Sequence, residues 1–192
     1  MDNEKDLEVK EALPDYERCY TFEEWLTLES DQWIELYDGK LIYISTPLVK
    51  HQAILGNLYL QFGNFLKGKK CNVYLPPLGV RIFENEDTVL IPDLLVICDK
   101  EKLDERVCNG APDLTIEILS PSTAKRDKLV KYRLYQKAGV REYWIIDPDT
   151  DTLQVGVLSA GSYITSVYGS TDKAPVHILE NFEIDLSEVF VE

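Results

Sequence analysis

Apolar residues recur along this chain at helical spacing in three places. Thr21 and Glu24 stand at capping-box spacing beside an apolar stretch, which predicts a short helix. A longer helix follows, because one stripe has members spaced four, three, four and three apart: His51, Leu55, Leu58, Phe62 and Phe65. A third helix is predicted over residues 123–138, closed by Gly139 at a C-terminal capping position.

The remaining apolar runs have the length and composition of strands. "WIELYDGKLIYI" predicts a hairpin around Asp38-Gly39, and pairing outward from that turn puts Glu35 opposite Ile42. Further strands are predicted in "VYLPPLGVRIF", "TVLIPDLLVIC", "DLTIEIL", "EYWIID", "TLQVGVL", "SYITSVY" and "VHILENFEI". This order of elements predicts an α/β or α+β fold in which helices flank a mixed sheet.

Composition indicates the size and setting of the protein. The 192 residues fit one domain, expected over 18–192 after a loose acidic tail at 1–17. An apolar fraction of 45% and a charged fraction of 28% are typical of a soluble globular protein. No apolar run approaches the roughly 18 residues of a membrane span, and the acidic start lacks the apolar core of a secretory signal. We therefore expect no membrane contact and a cytoplasmic location.

Charge and cysteine spacing limit the kinds of ligand. The net charge of −14 argues against a broad basic surface for phosphate backbones. A local basic pocket stays compatible with that charge, because salt screens exposed charges beyond about 10 Å. The four cysteines have irregular gaps that suit neither a zinc site nor a disulfide framework, so reduced thiols are expected at Cys19, Cys71, Cys98 and Cys108.

Two strand-like runs each contain one carboxylate: Asp93 in "IPDLLVI" and Glu117 in "LTIEILS". A buried carboxylate is costly unless it is paired, hydrogen-bonded or bound to a metal. Pro92 predicts a bulge or bend at Asp93, because proline disrupts a strand ladder. The two acids either lie at strand ends near water or, on neighbouring strands, converge on one divalent cation.

The third predicted helix adds a polar stripe, with Asp127, Lys131 and Tyr135 spaced four apart and Lys128 on nearly the same face. The stripe either contributes to a site or is a solvated surface with an ordinary Asp–Lys pair. His51 is likewise either a satisfied core histidine or a site residue. Glu35 is either a strand acid paired with a lysine or a third site acid.

Several segments occur together in one order: "TFEEWLTL", "WIELYDGKLI", "HQAILGNL", "IPDLLVI" and "GAPDLTIEILSPSTAKRDKLVKYRLYQKAGVREYWIIDP". Over about residues 20–190 the chain resembles the Uma-type family of candidate restriction endonucleases, part of the PD-(D/E)XK nuclease superfamily. The resemblance implies a restriction-endonuclease-like core, a mixed β-sheet flanked by helices. It also implies that Glu35, Asp93 and Glu117 surround Mg²⁺ or Mn²⁺, with metal contacts from Asp93 and Glu117. His51 falls where the family usually shows a histidine before its helix.

One departure from the superfamily pattern concerns its Glu-x-Lys motif. Leu119 stands where that lysine would be, and the resemblance implies that Lys131 on the next helix replaces it. Asp127, Lys128, Tyr135 and His51 are expected to support the site. The implied function is metal-dependent endonucleolytic cleavage of nucleic acid, with DNA favoured.

Two alternatives to that function stay open: a nuclease-like binding or assembly module without turnover, and a hydrolase of small phosphoesters. A homodimer is also expected. The aromatic residues Trp33, Tyr43, Tyr143 and Trp144 suit either a core or an interface.

Overall fold

The computed structural model describes residues 18–84, 86–120 and 127–191. The predicted tail at 1–17 and the first part of the predicted third helix, up to residue 126, lie outside the described residues.

A five-stranded sheet holds the predicted hairpin. Its strands are β1 (Ile34–Tyr37), β2 (Lys40–Tyr43), β4 (Gly79–Arg81), β5 (Val89–Leu90) and β7 (Val107–Asn109), in the spatial order β2-β1-β5-β4-β7. The register pairs Glu35 with Ile42, which confirms the prediction from the turn. Helix α1 (Phe22–Leu26) packs Phe22 against this sheet and carries the predicted capping box of Thr21 and Glu24.

A six-stranded mixed sheet forms the centre of the molecule. Its strands are β3 (Asn72–Tyr74), β6 (Leu94–Ile97), β8 (Leu114–Ile118), β9 (Glu142–Asp147), β10 (Thr152–Ser159) and β11 (Ser162–Gly169), in the order β11-β10-β9-β8-β6-β3. β8 and β9 run parallel and the other pairs are antiparallel. The predicted mixed sheet with flanking helices is therefore confirmed.

Alternating side chains of the central strands lie on opposite faces of the sheet and belong to two separate cores. On one face Trp144 and Ile146 pack against α2 (Val49–Leu66). That face is also covered by the C-terminal elements β12 (Lys173–Pro175), β13 (Glu183–Asp185) and α4 (Leu186–Val189). On the other face Tyr143 and Ile145 pack against the helical segment after β8. Within the described residues, no helix combines the length and apolarity needed to cross a bilayer.

The helical segment after β8 changes its winding. It begins as a π-helical turn (Asp127–Lys131) and continues as α3 (Tyr132–Ala138). Gly139 ends it with a φ of 87°, a left-handed conformation that glycine adopts readily, which confirms the predicted cap. A short 3₁₀ turn (Lys100–Lys102) lies between β6 and β7.

The predicted C-terminal strand "VHILENFEI" is shorter than expected. Only Glu183–Asp185 are extended, and residues before them form turns. Asn181 has a positive φ of 57°, which breaks the extended run. Val176 and Leu179 are nevertheless buried, so the apolar pattern reports packing here rather than a strand.

The expectation of four reduced cysteines is wrong for one pair. Cys71 and Cys98 form a disulfide. β3 pairs with β6 through Asn72 opposite Ile97, so the next positions along the ladder are the two cysteines. Their separation of 27 residues hid this pairing in the sequence, because the strand register creates it. Cys108 stays a buried thiol, and burial raises its pKa to about 11.

Candidate active site

A lysine and two glutamates from three separate elements meet where the two sheets join. Glu35 comes from β1, Glu117 from β8, and Lys131 from the end of the π-helical turn. Lys131 Nζ lies 3.1 Å from Glu35 Oε1 and 2.8 Å from Glu117 Oε1. π-helical turns are frequent at functional sites, and this one delivers the lysine.

The three charged side chains are almost completely buried. Exposure is 0% for Glu35, 3% for Glu117 and 4% for Lys131. Buried charges need partners and further hydrogen bonds to offset desolvation. Tyr135 donates its hydroxyl to Glu117 Oε1 at 2.9 Å, and the Ile91 amide donates to Glu35 Oε1 at 2.8 Å. The cluster is therefore held from both sheets and from α3.

Tyr135 is a fully buried donor to the cluster. Burial raises its pKa well above the ordinary value of a tyrosine, and the nearby Glu117 carboxylate raises it further. The hydroxyl therefore stays protonated across the physiological range and can donate to Glu117 at every pH where the protein functions.

Asp93 lies at the bend where the chain passes from the five-stranded to the six-stranded sheet, as Pro92 predicted. β6 pairs with β8 through Leu94 opposite Ile116, so Asp93 lies opposite Glu117 one step beyond the ladder. Directly opposed residues share a sheet face. Its Oδ2 accepts the Ile118 amide at 2.7 Å and lies 3.3 Å from His51 Nε2.

His51 connects the start of α2 to this group. The side chain is 10% exposed, and its Nδ1 atom is buried without a hydrogen-bond partner among the described residues. Buried polar atoms are usually hydrogen-bonded, so a water, a ligand or a residue outside the described ranges is the expected partner of Nδ1.

All five side chains line one cavity of about 190 Å³: Glu35, His51, Asp93, Glu117 and Lys131. Among the described residues that line it, Lys131 is the only lysine or arginine. The described lining thus places three carboxylates beside one ammonium and one imidazole, and carboxylate oxygens are ligands that a hard cation prefers.

The donor chemistry of the cavity fits a hard divalent cation. Asp93 and Glu117 supply carboxylate oxygens from opposed strand positions, and Mg²⁺ uses one or two protein carboxylates together with water and phosphate. Among the described residues, no three His, Cys, Asp or Glu side chains are already arranged around a common metal position. A bound ion would therefore depend on water or substrate for its remaining ligands.

The structure brings together six of the eight residues singled out from the sequence: Glu35, His51, Asp93, Glu117, Lys131 and Tyr135. Lys128 does not join them. It is half-exposed and lies 3.2 Å from Asp147, because the wider π-helical turn separates the directions of positions 128 and 131. The backbone of Asp127 begins that turn, and its side chain lies outside the described residues.

Sequence reasoning gave no site role to Trp33, which lines the same cavity. The sequence does contain a signal that Trp33 lies beside Glu35. Trp33 precedes Glu35 by two positions, and residues two apart in a strand point to the same face.

The family model of Uma2, described as "Putative restriction endonuclease", matches residues 19–187. The match covers most of the chain, so the chain belongs to this family, which confirms the resemblance read from the sequence motifs.

One solved structure and one further protein are similar to this chain. The crystal structure described as "a putative nuclease belonging to DUF820", from Anabaena variabilis, superimposes with a TM-score of 0.74 at 26% identity, over 88% of this chain and 97% of that one. The fold is thus that of a restriction-endonuclease-like nuclease. A Synechocystis protein described as uncharacterized is 32% identical over 101 residues, 53% of each chain. The aligned region thus spans about half the length of that relative.

Proposed function

We propose that this protein is a metal-dependent nuclease that hydrolyses phosphodiester bonds of nucleic acid, with DNA as the favoured substrate, in the cytoplasm. The observation that carries the proposal is the position of Lys131, 3.1 Å from Glu35 and 2.8 Å from Glu117 in a cavity that Asp93 also lines. Membership of the family and the likeness to a nuclease structure support the same class of reaction.

In this proposal Asp93 and Glu117 hold Mg²⁺ or Mn²⁺, and Glu35 contributes through water. Such an ion, when bound, supplies Lewis-acid polarisation of the phosphodiester and acidifies water. The carboxylates are preorganised for this role, because the Ile118 and Ile91 amides fix Asp93 and Glu35.

Lys131 supplies the positive charge that the superfamily motif takes from the strand. Its ammonium orients the attacking water and offsets the negative charge that develops on the phosphate. Leu119, at the motif position, is 6% exposed and packs in the core beside Tyr135. The positive charge therefore has to come from the helical segment that carries Lys131, and the long lysine side chain permits this change of position.

Two further residues hold the acids in place. Tyr135 keeps the Glu117 carboxylate oriented through a hydroxyl that stays protonated. His51 Nε2 faces Asp93 and limits the rotation of that carboxylate. Because Nδ1 of the same ring is buried and lacks a partner among the described residues, it is available to a substrate oxygen or a water.

The test is cleavage of labelled DNA and RNA oligonucleotides by the purified protein with Mg²⁺ or Mn²⁺. Glu117→Gln and Asp93→Asn should each abolish cleavage. The matched control is Glu86→Gln, which removes the acid of an exposed pair with Lys137 at 3.0 Å and should leave the rate unchanged. Cleavage that persists in both site variants would contradict the proposal.

A catalytically silent binding module is the second candidate. The leucine at position 119 and the buried contacts of Lys131 with both glutamates, which suit a structural role, favour it. Binding of Mn²⁺ without cleavage of DNA, RNA or free nucleotides would select this candidate. Cleavage of free nucleotides alone would select a small-phosphoester hydrolase, which the small cavity also suits.

We also propose a homodimer, although its basis differs from the sequence expectation. Tyr143 and Trp144 are buried and belong to the core. Support comes instead from β11, an edge strand of the six-stranded sheet on which Ile164 and Val167 are 65% and 67% exposed. An exposed apolar edge strand is suited to pairing with a second copy. Light scattering at two concentrations tests this association.

A further inference from the structure

Trp33 is a large aromatic residue left exposed beside the buried acids. It is 42% exposed, although the residue after it, Ile34, is buried. The Ile44 amide donates to the Trp33 carbonyl at 2.9 Å, so the backbone of Trp33 continues the hairpin ladder. The ring therefore points to the same side as Glu35, roughly 7 Å further along the strand.

The cavity around Trp33 is lined by two kinds of side chain. Lys131 and the three carboxylates are charged, and most of the other lining residues are apolar, among them Trp33, Ile42, Ile44, Pro47, Pro76 and Ile91. The charged groups suit a phosphate with its cation, and the apolar residues suit the flat face of a nucleobase. One nucleotide presents both features.

The depth of the reactive groups restricts how a nucleic acid can approach. Glu35, Glu117 and Lys131 are at most 4% exposed and the Asp93 side chain is 20% exposed, so a flexible strand has better access to these groups than a rigid duplex. Enzymes that take a base into a recessed pocket act on single strands or turn the nucleotide out of the duplex, which costs stacking and pairing energy. An unpaired nucleotide reaches the cavity without that cost.

Two further cavities each share lining residues with the central cavity. One shares Trp33 and Ile91 with the central cavity and continues to Arg106. The other shares His51 and Ser120 with it and continues to Lys128. A strand that places one nucleotide in the central cavity thus has room for its neighbours.

The overall charge favours the same kind of substrate. Duplex binding relies on many phosphate contacts with lysine and arginine, and the net charge of −14 opposes it. Stacking on an aromatic ring adds affinity for single strands beyond the phosphate contacts, and the paired bases of a duplex are not available for it.

We propose that the substrate is single-stranded nucleic acid, and that Trp33 stacks the base of the nucleotide whose phosphate enters the cavity. This inference rests on the proposed nuclease function and specifies its substrate class. Trp33 is a binding residue in this proposal, and the acids and Lys131 carry the chemistry.

The experiment measures binding to the protein by fluorescence anisotropy, with a labelled mixed-sequence DNA strand of 12 nucleotides and with the same strand in a blunt duplex. Ca²⁺ replaces Mg²⁺, and a gel confirms that the probe stays intact. The duplex should bind at least about tenfold more weakly, because extrusion of a nucleotide is costly. Trp33→Ala should weaken single-strand binding about tenfold, and Trp33→Phe should weaken it less than about threefold.

Tyr59→Ala is the matched control, because Tyr59 is 40% exposed on α2 and lines none of the three cavities. It should leave binding unchanged. Equal affinity for duplex and strand, or a Trp33→Ala variant that binds like Tyr59→Ala, would overturn the inference. A mononucleotide that competes with an affinity equal to that of the strand would also overturn the inference, because the cavity would then bind free nucleotides.

These outcomes separate the inference from the nuclease proposal. Strand binding that needs Trp33, without cleavage in Mg²⁺, would contradict the nuclease and support Trp33 as the strand-binding residue. Duplex cleavage that Glu117→Gln abolishes and Trp33→Ala leaves unchanged would support the nuclease and overturn the strand inference.

Discussion

Glu117 and Glu142 are both buried carboxylates, and they lie on the neighbouring parallel strands β8 and β9. Glu117 is 3% exposed and Glu142 is 0% exposed. The register pairs Leu114 with Glu142 and Glu117 with Ile145, so the two acids point to opposite faces of the sheet. Both acids lie in apolar strand segments, "LTIEI" and "EYWII".

The partners of the two acids differ. Glu142 accepts the Trp144 indole N–H at 2.8 Å and the Ile178 amide at 3.0 Å, and it faces His177 Nδ1 at 3.3 Å. The contacts with His177 and Ile178 hold the C-terminal segment against the sheet. Glu117 instead contacts Lys131 and lines a cavity, whereas Glu142 lines none of the three cavities described. A buried acid thus marks a candidate site only when a cation and accessible space accompany it.

Removal of Lys131 should have the largest effect, because it should cost both stability and activity. Lys131→Ala takes away the ammonium between two buried carboxylates, and loss of one partner of a buried ion pair costs roughly 3–5 kcal/mol. The free energy of unfolding, measured in urea at neutral pH, should fall by that amount, and cleavage should be lost. A stability equal to that of the wild type would show that the cluster is solvated in solution.

Glu142→Ala should cost stability alone. The Trp144 indole and the Ile178 amide would each lose a buried acceptor, at about 1–3 kcal/mol per group. Urea unfolding should show the loss, and the kcat of the protein that remains folded should match the wild type. A large fall in kcat would place Glu142 in the same functional group as Glu117.

Tyr135→Phe should have an intermediate effect, because the ring remains and one hydrogen bond is lost. The expected loss of stability is about 1 kcal/mol. Burial raises the pKa of Tyr135 in the folded state, so the folded protein binds this proton more tightly than the unfolded chain. The resulting stability is present below pH 10 and is lost as pH rises above it. Above pH 10, the free energy of unfolding should therefore fall less steeply with pH for Tyr135→Phe than for the wild type. The same slope in both proteins would contradict this.

His177→Ala should have the smallest effect. The His177 side chain is 43% exposed, and Glu142 keeps its indole and amide donors without it. A contact of this kind contributes less than about 1 kcal/mol. Thermal unfolding at pH 6 and pH 8 measures it. A large, pH-dependent loss would show that Glu142 depends on a charged partner, as Glu117 does.

Local signals in the sequence predicted much of the arrangement around Glu35 and Asp93. The Asp38-Gly39 turn determined the hairpin register, and with it the face on which Glu35 lies. Pro92 marked the bend at Asp93. These features depend on a few adjacent residues, so they can be derived without knowledge of the fold.

Features created by tertiary packing could not be predicted in this way. The disulfide of Cys71 and Cys98 arises from strand register across 27 residues. The different directions of Lys128 and Lys131 arise from a π-helical turn that no residue pattern announces. The difference between Glu117 and Glu142 depends on what covers each sheet face, and the strands themselves carry no such information.

The central claim is that Asp93 and Glu117, and not the buried Glu142, form a cation-binding centre. The most direct measurement is an anomalous difference map from crystals soaked in Mn²⁺. The predicted result is one peak within coordination distance of Asp93 and Glu117 that disappears in Asp93→Asn. A map with no peak in this cavity, or with manganese bound only elsewhere on the protein, would contradict the claim.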